Sequence, residues 1–177
     1  MIDGKTVVCG LIGDPVEHTL SPVIHNTLAQ ETGRNLVYVP FHVKAGQVED
    51  AVRGAKALSI RGLNVTVPHK SAVIPYLSSV EREAALIGAV NTLVPEEGGY
   101  RGYNTDLTGL GRALASDGIN LSGEQVILLG AGGAARAAAF LCALRGAREV
   151  WILNRTLPRA QGLADEVNRA AERACVK

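Results

Sequence analysis

The sequence is poor in aromatic residues and nearly neutral in charge. Phe, Trp and Tyr make up 4% of its 177 residues, which is few for the aromatic surfaces on which proteins stack nucleic-acid bases. Eighteen Lys and Arg residues against seventeen Asp and Glu residues leave a formal net charge of +1. Because no strong field of one sign surrounds such a chain, we expect neither a nucleic-acid partner nor a membrane surface as its target.

Cysteines are also few, and long apolar runs are missing. Cys9, Cys142 and Cys175 are odd in number, far apart and without a CxxC pair. They therefore predict thiols in a reducing cytosol, not a disulfide framework or a zinc site, and no metal site is predicted. No run approaches the roughly 20 apolar residues that cross a bilayer, and the first residues lack a signal-peptide pattern. We therefore expect a soluble, cytoplasmic protein.

The sequence does contain a regular alternation of short β-branched runs with longer amphipathic stretches, which predicts an α/β fold. The predicted strands are residues 6–12, 36–43, 62–67, 90–94, 100–103, 126–130 and 149–153. The predicted helices are residues 21–33, 47–58, 70–78, 81–87, 105–116 and 158–175, and residues 130–146 are predicted to form a turn and a helix. Pro40 indicates a strand at a sheet edge, a bulge or an early end of the strand, and Ser21 is a candidate helix cap. Trp151, in the middle of the last strand, is predicted to lie in the core.

A polar, glycine-containing connection at residues 117–123 (DGINLSG) predicts the boundary between two domains. Residues 1–117 form an N-terminal α/β domain. Residues 118–177 read strand, helix, strand, helix, which predicts a right-handed parallel crossover and the start of a Rossmann-type doubly wound parallel sheet. Such a sheet normally has several more strands, so we expect this second domain to be incomplete.

A glycine-rich turn follows the strand at residues 126–130 and opens an alanine-rich helix. The turn consists of Gly130, Ala131, Gly132, Gly133 and Ala134. Small residues there let the backbone approach a pyrophosphate, whose charge then lies at the helix N-terminus. Strands before and after the helix provide the context that this dinucleotide-binding pattern requires. The alternative is a structural turn whose small residues serve packing alone.

The residues after the second strand of this domain indicate which dinucleotide is bound. NAD-binding folds place an acidic residue there to accept the ribose 2′-hydroxyl. This chain instead has Asn154, Arg155 and Thr156, with Arg159 one turn later. A guanidinium offers planar, bidentate donors to a 2′-phosphate. The pattern therefore predicts NADP rather than NAD; the alternative is a pair of solvated arginines at a helix start.

Four polar segments in the first part of the chain fall at strand ends or helix starts, where loops present side chains to a cleft. They are residues 18–22, 64–70, 89–92 and 104–106. Together they offer hydroxyls, amides, one ammonium and one carboxylate, without a metal-like cluster. This inventory predicts a small, polyhydroxylated, anionic ligand, and the hydroxyls of Thr19 and Ser21 are able to donate to its carboxylate.

Lys70 is the candidate for proton chemistry. It follows the strand predicted at residues 62–67, so we expect a partly desolvated ammonium. A neighbouring Asp106 would complete a pair that holds a proton ready for a carbonyl oxygen. Spacing alone leaves open that Lys70 is an ordinary exposed lysine at a helix start.

Six motifs, in one order and spacing, place these residues in a common context. GDPVEHTLSPVIHN, NVTVPHK, GAVNTL, YNTD, GAGGAARA and NRT together resemble the shikimate dehydrogenase family over essentially the whole chain. The resemblance implies reversible reduction of 3-dehydroshikimate to shikimate with NADPH, in aromatic amino-acid biosynthesis. It implies a shikimate-binding catalytic domain at residues 1–117 and an NADP-binding domain at residues 118–177. The implied catalytic pair is Lys70 and Asp106, and the implied substrate contacts are Thr19, Ser21, Asn64, Thr66, Asn91 and Asp106.

Two features set the chain apart from the family pattern. Thr19 stands where a serine is common, which keeps the hydroxyl. Family members also continue further, so the resemblance implies that the C-terminal part of the nucleotide domain is lacking. The alternatives are a quinate/shikimate dehydrogenase that uses NAD or NADP, and a non-catalytic ligand-binding fragment. Monomer and homodimer both fit, and whether Lys70 donates the proton or orients the substrate stays open.

Overall fold

The computed structural model describes residues 2–177 and has the predicted α/β architecture, with helices and strands alternating along the chain. The chain divides into two compact units, the first ending at Asn104 and the second spanning Thr105–Lys177. Each unit has its own sheet. None of the helices in this range combines the length and hydropathy that crossing a membrane requires.

The first unit contains a mixed sheet with strand order β2-β1-β3-β5-β6-β4. Its strands are β1 (Val7–Gly13), β2 (Leu36–His42), β3 (Gly62–Val65), β4 (Ser79–Val80), β5 (Thr92–Glu96) and β6 (Gly99–Tyr103). Its helices are α1 (Ser21–Glu31), α2 (Val48–Ala57) and α3 (Arg82–Ile87). Strand β1 runs parallel to both of its neighbours, while β5 is antiparallel to β3 and β6. Pro40 lies in the edge strand β2, where its missing N–H costs no ladder bond, which is one of the predicted alternatives.

The main core of the first unit forms because α2 buries one stripe against the sheet. Val48, Val52 and Ala55 recur at helical spacing and are buried. They pack with Leu63, Leu93 and other buried sheet residues in one cluster. A smaller cluster of Leu11, Val16 and Tyr38 packs separately from it.

The second unit pairs two parallel strands and surrounds them with helices. In chain order its elements are α4 (Thr105–Ser116), β7 (Gln125–Leu129), α5 (Gly133–Leu144), β8 (Glu149–Leu153) and α6 (Leu157–Ala170). Helix α4 packs on α5 within this unit. The domain boundary predicted at residues 117–123 would assign α4 to the first domain, whereas the two compact units divide between Asn104 and Thr105. Whether the functional domains divide at residue 117 stays a prediction.

The prediction that Trp151 lies in the core is wrong. Its side chain is 42% exposed, on the same sheet face as Ile127, Leu129 and Leu153, all of which are exposed. Val150 and Ile152 point the other way and are buried. Residues of a strand alternate between the two faces, so one face of this two-stranded sheet is buried and the face that carries Trp151 is exposed.

Two local predictions about helices also differ from the structure. The helix predicted at residues 70–78 is a series of turns with a 3-10 turn at Ile74–Tyr76, because Pro75 in the middle of that stretch cannot donate a helical hydrogen bond. Ser21 does not cap α1: Leu20 holds the cap position, without a side-chain hydrogen bond.

The last helix ends at Ala170, several residues before the predicted end. The Asn168 side chain accepts hydrogen bonds from the backbone N–H groups of Cys175 and Val176, at 3.0 and 2.8 Å, and donates one to the Val176 carbonyl at 2.8 Å. These bonds turn the chain back, so that Val176 forms a parallel bridge with Val150.

Candidate active site

The two hydroxyls predicted to hold a carboxylate lie together at the start of α1. The Thr19 hydroxyl donates to Oγ of Ser21 at 3.2 Å, and the Ser21 backbone N–H approaches Oγ1 of Thr19 at 3.3 Å. Both side chains are half-buried. Pro22, which follows Ser21, has no backbone N–H to donate at this helix start.

Asn64 lies in β3 and is held by hydrogen bonds on both ends of its amide. The phenol of Tyr38 donates to Oδ1 of Asn64 at 2.7 Å. Nδ2 of Asn64 points at Oγ1 of Thr92 and at the Asn91 carbonyl oxygen, both at 3.4 Å. Thr92 in turn donates to Oδ1 of Asn91 at 2.9 Å. The amides predicted at positions 64 and 91 are therefore brought together across β3 and β5.

The Tyr38 phenol belongs to the same group of side chains as Asn64 and Asn91, because it is buried and hydrogen-bonded to Asn64. Tyr38 is 5% exposed, and its ring stacks on that of His25 with centroids 4.3 Å apart and an interplanar angle of 14°. Burial raises the pKa of Tyr38 to about 12, although the nearby Ser21 hydroxyl acts in the opposite direction. A set of hydrogen-bonded side chains thus extends from Tyr38 through Asn64 and Thr92 to Asn91.

Lys70 follows a short loop whose backbone is fixed at several points. The His69 backbone N–H donates to the Thr66 carbonyl at 2.9 Å, and the His69 ring Nε2 lies 2.6 Å from the Val43 carbonyl. His69 is only 1% exposed. The Lys70 carbonyl accepts from the Val90 N–H at 2.7 Å, directly beside Asn91. The Lys70 side chain is half-buried, as its predicted role requires.

Asp106 belongs to the second unit, in the first turn of α4, and its side chain is half-buried. Acidic residues are favourable in this position because the helix N-terminus carries partial positive charge. Its pairing with Lys70 stays a prediction.

The glycine-rich turn connects β7 to α5 in the predicted way. Gly130 has a φ of +108°, a conformation that favours glycine, and its N–H donates to the Leu153 carbonyl at 2.8 Å. Gly132 is the N-cap and Gly133 the first residue of α5. A β-carbon at Gly132 or Gly133 would meet no other atom within 4 Å. Packing within the described chain therefore does not require these two glycines.

The N-terminus of α5 has the properties of an anion site. It has no side-chain cap and no acidic residue in its first turn, so the first N–H groups of the helix are not satisfied by a side-chain cap. Backbone N–H groups and the helix dipole at such a terminus favour a phosphate. Arg136 does not carry this role, because its guanidinium lies 2.5 Å from the Glu166 carboxylate and fastens α5 to α6.

The four residues predicted to select the cofactor lie between β8 and the first turn of α6. The Asn154 side-chain N–H donates to the Thr156 carbonyl at 2.8 Å, which shapes the loop. Arg155 and Arg159 are exposed, and neither forms an ion pair with a carboxylate in the described part of the chain. The first turn of α6 has no acidic residue. Both guanidinium groups are thus available for an external anion.

A cavity of about 300 Å³ on the first unit is lined by several members of the hydrogen-bonded group. Tyr38, Asn64 and Thr92 line it, together with Cys9, whose thiol pKa is raised mainly by burial. Thr19, Ser21, Thr66 and Lys70 are not among its lining residues. The first unit therefore connects Asn64 and Asn91 by hydrogen bonds, and this cavity does not include all of the predicted residues. Within residues 2–177 no group of His, Cys, Asp or Glu side chains is arranged to hold a metal ion.

Sequence reasoning missed two members of the group, Tyr38 and Thr92. Tyr38 lies in a predicted strand, and a buried tyrosine hydroxyl needs a hydrogen-bond partner. Thr92 follows Asn91 in one of the four polar segments. Both signals existed, but only the pairing of β1 with β2 and of β3 with β5 brings the two side chains to Asn64.

Comparison with known proteins finds matches over most of the chain. Residues 11–93 match the family described as shikimate dehydrogenase substrate binding domain, and residues 113–176 match the family described as shikimate / quinate 5-dehydrogenase. The shikimate dehydrogenase (NADP(+)) of Methanothermobacter thermautotrophicus is 49% identical over 167 residues, which are 94% of this chain and 59% of that relative.

Solved structures agree with these matches. A crystal structure of a shikimate dehydrogenase in complex with NADP+ is similar with a TM-score of 0.90 and 44% identity, over 98% of this chain and 60% of the other. The shikimate 5-dehydrogenase from Listeria monocytogenes, in complex with shikimate and NAD, gives a TM-score of 0.89 and 37% identity, over 99% and 62%. The chain thus spans between 59% and 62% of the length of these three proteins.

Proposed function

Because the chain belongs to the shikimate dehydrogenase family, we propose that it acts in the NADP-dependent, reversible reduction of 3-dehydroshikimate to shikimate. It contributes the substrate-binding side chains of its first unit and the phosphate-binding turn of its second. The chain spans 59% of the length of its relative from Methanothermobacter thermautotrophicus, and the proposal concerns the part of the enzyme that it contains.

The observation that carries this proposal is the connected group of polar side chains in the first unit. Asn64 and Asn91 come from separate segments, yet hydrogen bonds link them with Tyr38 and Thr92. Thr19 and Ser21 bond with each other, and the Ser21 hydroxyl lies close to the Tyr38 phenol. Hydroxyls at one end suit a carboxylate, and amides at the other suit ring hydroxyls. Shikimate carries a carboxylate and several hydroxyl groups on one small ring.

The second unit supports binding of the dinucleotide. The N-terminus of α5 takes the pyrophosphate, with Gly132 and Gly133 leaving room for close approach. Asn154, Arg155, Thr156 and Arg159 would hold the ribose 2′-phosphate, and the two guanidinium groups would supply its charge partners. NADPH, when bound, supplies the hydride for the reaction.

Lys70 and Asp106 carry the proton chemistry in this proposal. As the substrate carbonyl carbon gains a hydride, its oxygen gains a proton and the C=O double bond becomes a C–O single bond. The Lys70 ammonium holds that proton at the oxygen, with the Asp106 carboxylate as its partner in the pair. In the reverse direction the same pair receives the proton from the shikimate hydroxyl.

One alternative has specific support. The family description that matches residues 113–176 includes quinate, and the Listeria relative was solved with NAD. A quinate/shikimate dehydrogenase using either cofactor is therefore the second candidate. The third is a chain that binds these ligands without turnover. The free thiols Cys9, Cys142 and Cys175 support a cytoplasmic location, and monomer and homodimer both remain compatible.

The test is absorbance at the NADPH band after the chain is mixed with shikimate and NADP. Quinate and NAD serve as parallel substrates, and calorimetry measures the binding of each ligand. Turnover with shikimate and NADP supports the proposal, and equal turnover with quinate or NAD favours the second candidate. Binding of both ligands without turnover favours the third. A chain that binds neither shikimate nor NADP would refute the proposal.

A further inference from the structure

A single line of hydrogen bonds crosses the sheet of the first unit from β2 to β5. The phenol of Tyr38 reaches over β1 and donates to Oδ1 of Asn64 at 2.7 Å. Nδ2 of Asn64 then points at Oγ1 of Thr92 at 3.4 Å. The Thr92 hydroxyl donates to Oδ1 of Asn91 at 2.9 Å.

The direction of these bonds follows from the number of protons on each group. A tyrosine or threonine hydroxyl has one proton to donate, while a side-chain amide donates only from nitrogen and accepts only at oxygen. Once Tyr38 donates to Oδ1 of Asn64, the nitrogen of that amide faces Thr92. Thr92 then accepts from Asn64, and its own proton goes to Oδ1 of Asn91. The oxygen of the Asn91 amide therefore already accepts a hydrogen bond from within the protein.

We propose that Tyr38 is a positioning residue that sets, through Asn64 and Thr92, which end of the Asn91 amide a bound substrate meets. The substrate meets the Nδ2 donor, so the group it places there is a hydrogen-bond acceptor such as a hydroxyl or carbonyl oxygen. This inference rests on the proposed function, in which Asn91 contacts the substrate. It adds two residues, Tyr38 and Thr92, that touch neither substrate nor cofactor in that scheme.

The surroundings of Tyr38 suit this role. The ring is 5% exposed and stacked on His25, so it cannot change direction easily. Burial raises the pKa of Tyr38 to about 12, so the phenol keeps its proton, and remains a donor, at neutral pH. Low exposure also strengthens each bond in the line, because polar groups in a poorly solvated environment polarise one another.

Tyr38→Phe and Tyr100→Phe form a matched pair for the test. Tyr100 is also buried, and its hydroxyl donates to the Ile60 carbonyl at 2.6 Å, outside the line. Both variants lose one buried hydrogen bond and some stability in urea. We expect only Tyr38→Phe to weaken shikimate binding, by about three- to tenfold in calorimetry, since one hydrogen bond is worth about 1 kcal/mol. Binding of NADP should stay unchanged in both.

Two variants of Thr92 form a second matched pair, and NMR gives a measurement that needs no ligand. Thr92→Val removes the hydroxyl, and Thr92→Ser restores it, so shikimate binding should fall in the first and recover in the second. Two-dimensional NMR of the side-chain amides should show the Asn91 Nδ2 signals shifted in Thr92→Val and Tyr38→Phe, but not in Tyr100→Phe.

The outcomes separate this inference from the proposed function. If the unmodified chain does not bind shikimate, the proposed function fails, and the Asn91 amide signals still decide whether Tyr38 orients this side chain. Unmoved Asn91 signals in both Tyr38→Phe and Thr92→Val would overturn the positioning role. An equal loss of shikimate binding in Tyr38→Phe and Tyr100→Phe would overturn it too, because that loss would be a general effect of stability.

Discussion

Gly10 and Phe41 lie so close across β1 and β2 that no side chain fits between them. A β-carbon built on Gly10 would come within 3.0 Å of the Phe41 ring and of the Val39 carbonyl oxygen. The glycine is buried in a strand that pairs with neighbours on both sides. Its role is close approach of two strands, since its backbone is extended like that of any strand residue.

Gly10→Ala should therefore destabilise the first unit by overpacking. We expect a loss of about 1–3 kcal/mol in the free energy of unfolding, the usual cost of an added carbon in a tight site. Urea denaturation measures it. Gly54→Ala is the control, because Gly54 lies in α2 with open space around its β-carbon position. That change should stabilise the chain by about 0.5–1 kcal/mol, and a Gly10→Ala variant as stable as the unmodified chain would contradict the close approach.

Lys70→Ala should separate chemistry from binding. If Lys70 holds the proton for the substrate oxygen, its loss should lower turnover by about a hundred- to ten-thousandfold, while the affinity for NADP stays unchanged. Stopped-flow absorbance at the NADPH band and calorimetry give the two values. Lys5→Ala, an exposed lysine of the same unit, is the control.

Lys70→Arg distinguishes the two roles left open for this residue. Arginine keeps the positive charge but does not give up its proton at neutral pH. Substantial activity in Lys70→Arg would mean that the side chain mainly orients and polarises the substrate, whereas loss equal to that of Lys70→Ala would indicate proton donation. An active Lys70→Ala variant would rule out both roles.

Replacing both Arg155 and Arg159 by alanine should remove the preference for NADP. Charge-assisted hydrogen bonds to the 2′-phosphate are worth about 1.5–3 kcal/mol, so NADP affinity should fall by about tenfold or more. NAD lacks that phosphate, and its affinity should not change. Arg148→Ala, also exposed in the second unit, is the control. An unchanged ratio of NADP to NAD affinity would contradict the role of these two residues in binding the 2′-phosphate.

Glu149 should make the second unit sensitive to acid. Its pKa is lowered to about 2, mainly by hydrogen bonds from Lys177 and Gln125. Because the folded pKa lies below the ordinary value of 4.5, this carboxylate stabilises the fold above pH 4.5, and the contribution disappears as the pH falls towards 2. NMR titration of the carboxyl carbon checks the pKa.

Glu149→Gln should then flatten the dependence of unfolding on pH within that acid range. Glu172→Gln, an exposed glutamate of the same unit, serves as the comparison. If the pH dependence of unfolding is the same in Glu149→Gln and in the unmodified chain, the hydrogen bonds from Lys177 and Gln125 do not stabilise the charged form.

Local patterns in the sequence were enough for most of the elements and for the turn at Gly130. Period-two and helical spacings, and the breaks at glycine and proline, depend only on neighbouring residues. They predicted α4 at its observed bounds and gave an edge strand as one alternative for Pro40. The two-residue strand β4 was missed because Ser79–Val80 is too short to show any period.

The sequence by itself thus determined which residue types stand at strand ends and helix starts, and six ordered motifs determined the family. Only the tertiary structure decided which of these side chains meet. Tyr38 reaches Asn64 because β1 pairs with both β2 and β3, a contact between residues far apart in the chain. Likewise, Trp151 is exposed because it lies on the exposed face of its sheet, whereas its neighbours Val150 and Ile152 lie on the buried face. Burial and long-range hydrogen bonds depend on the packing of whole elements, which no local spacing records.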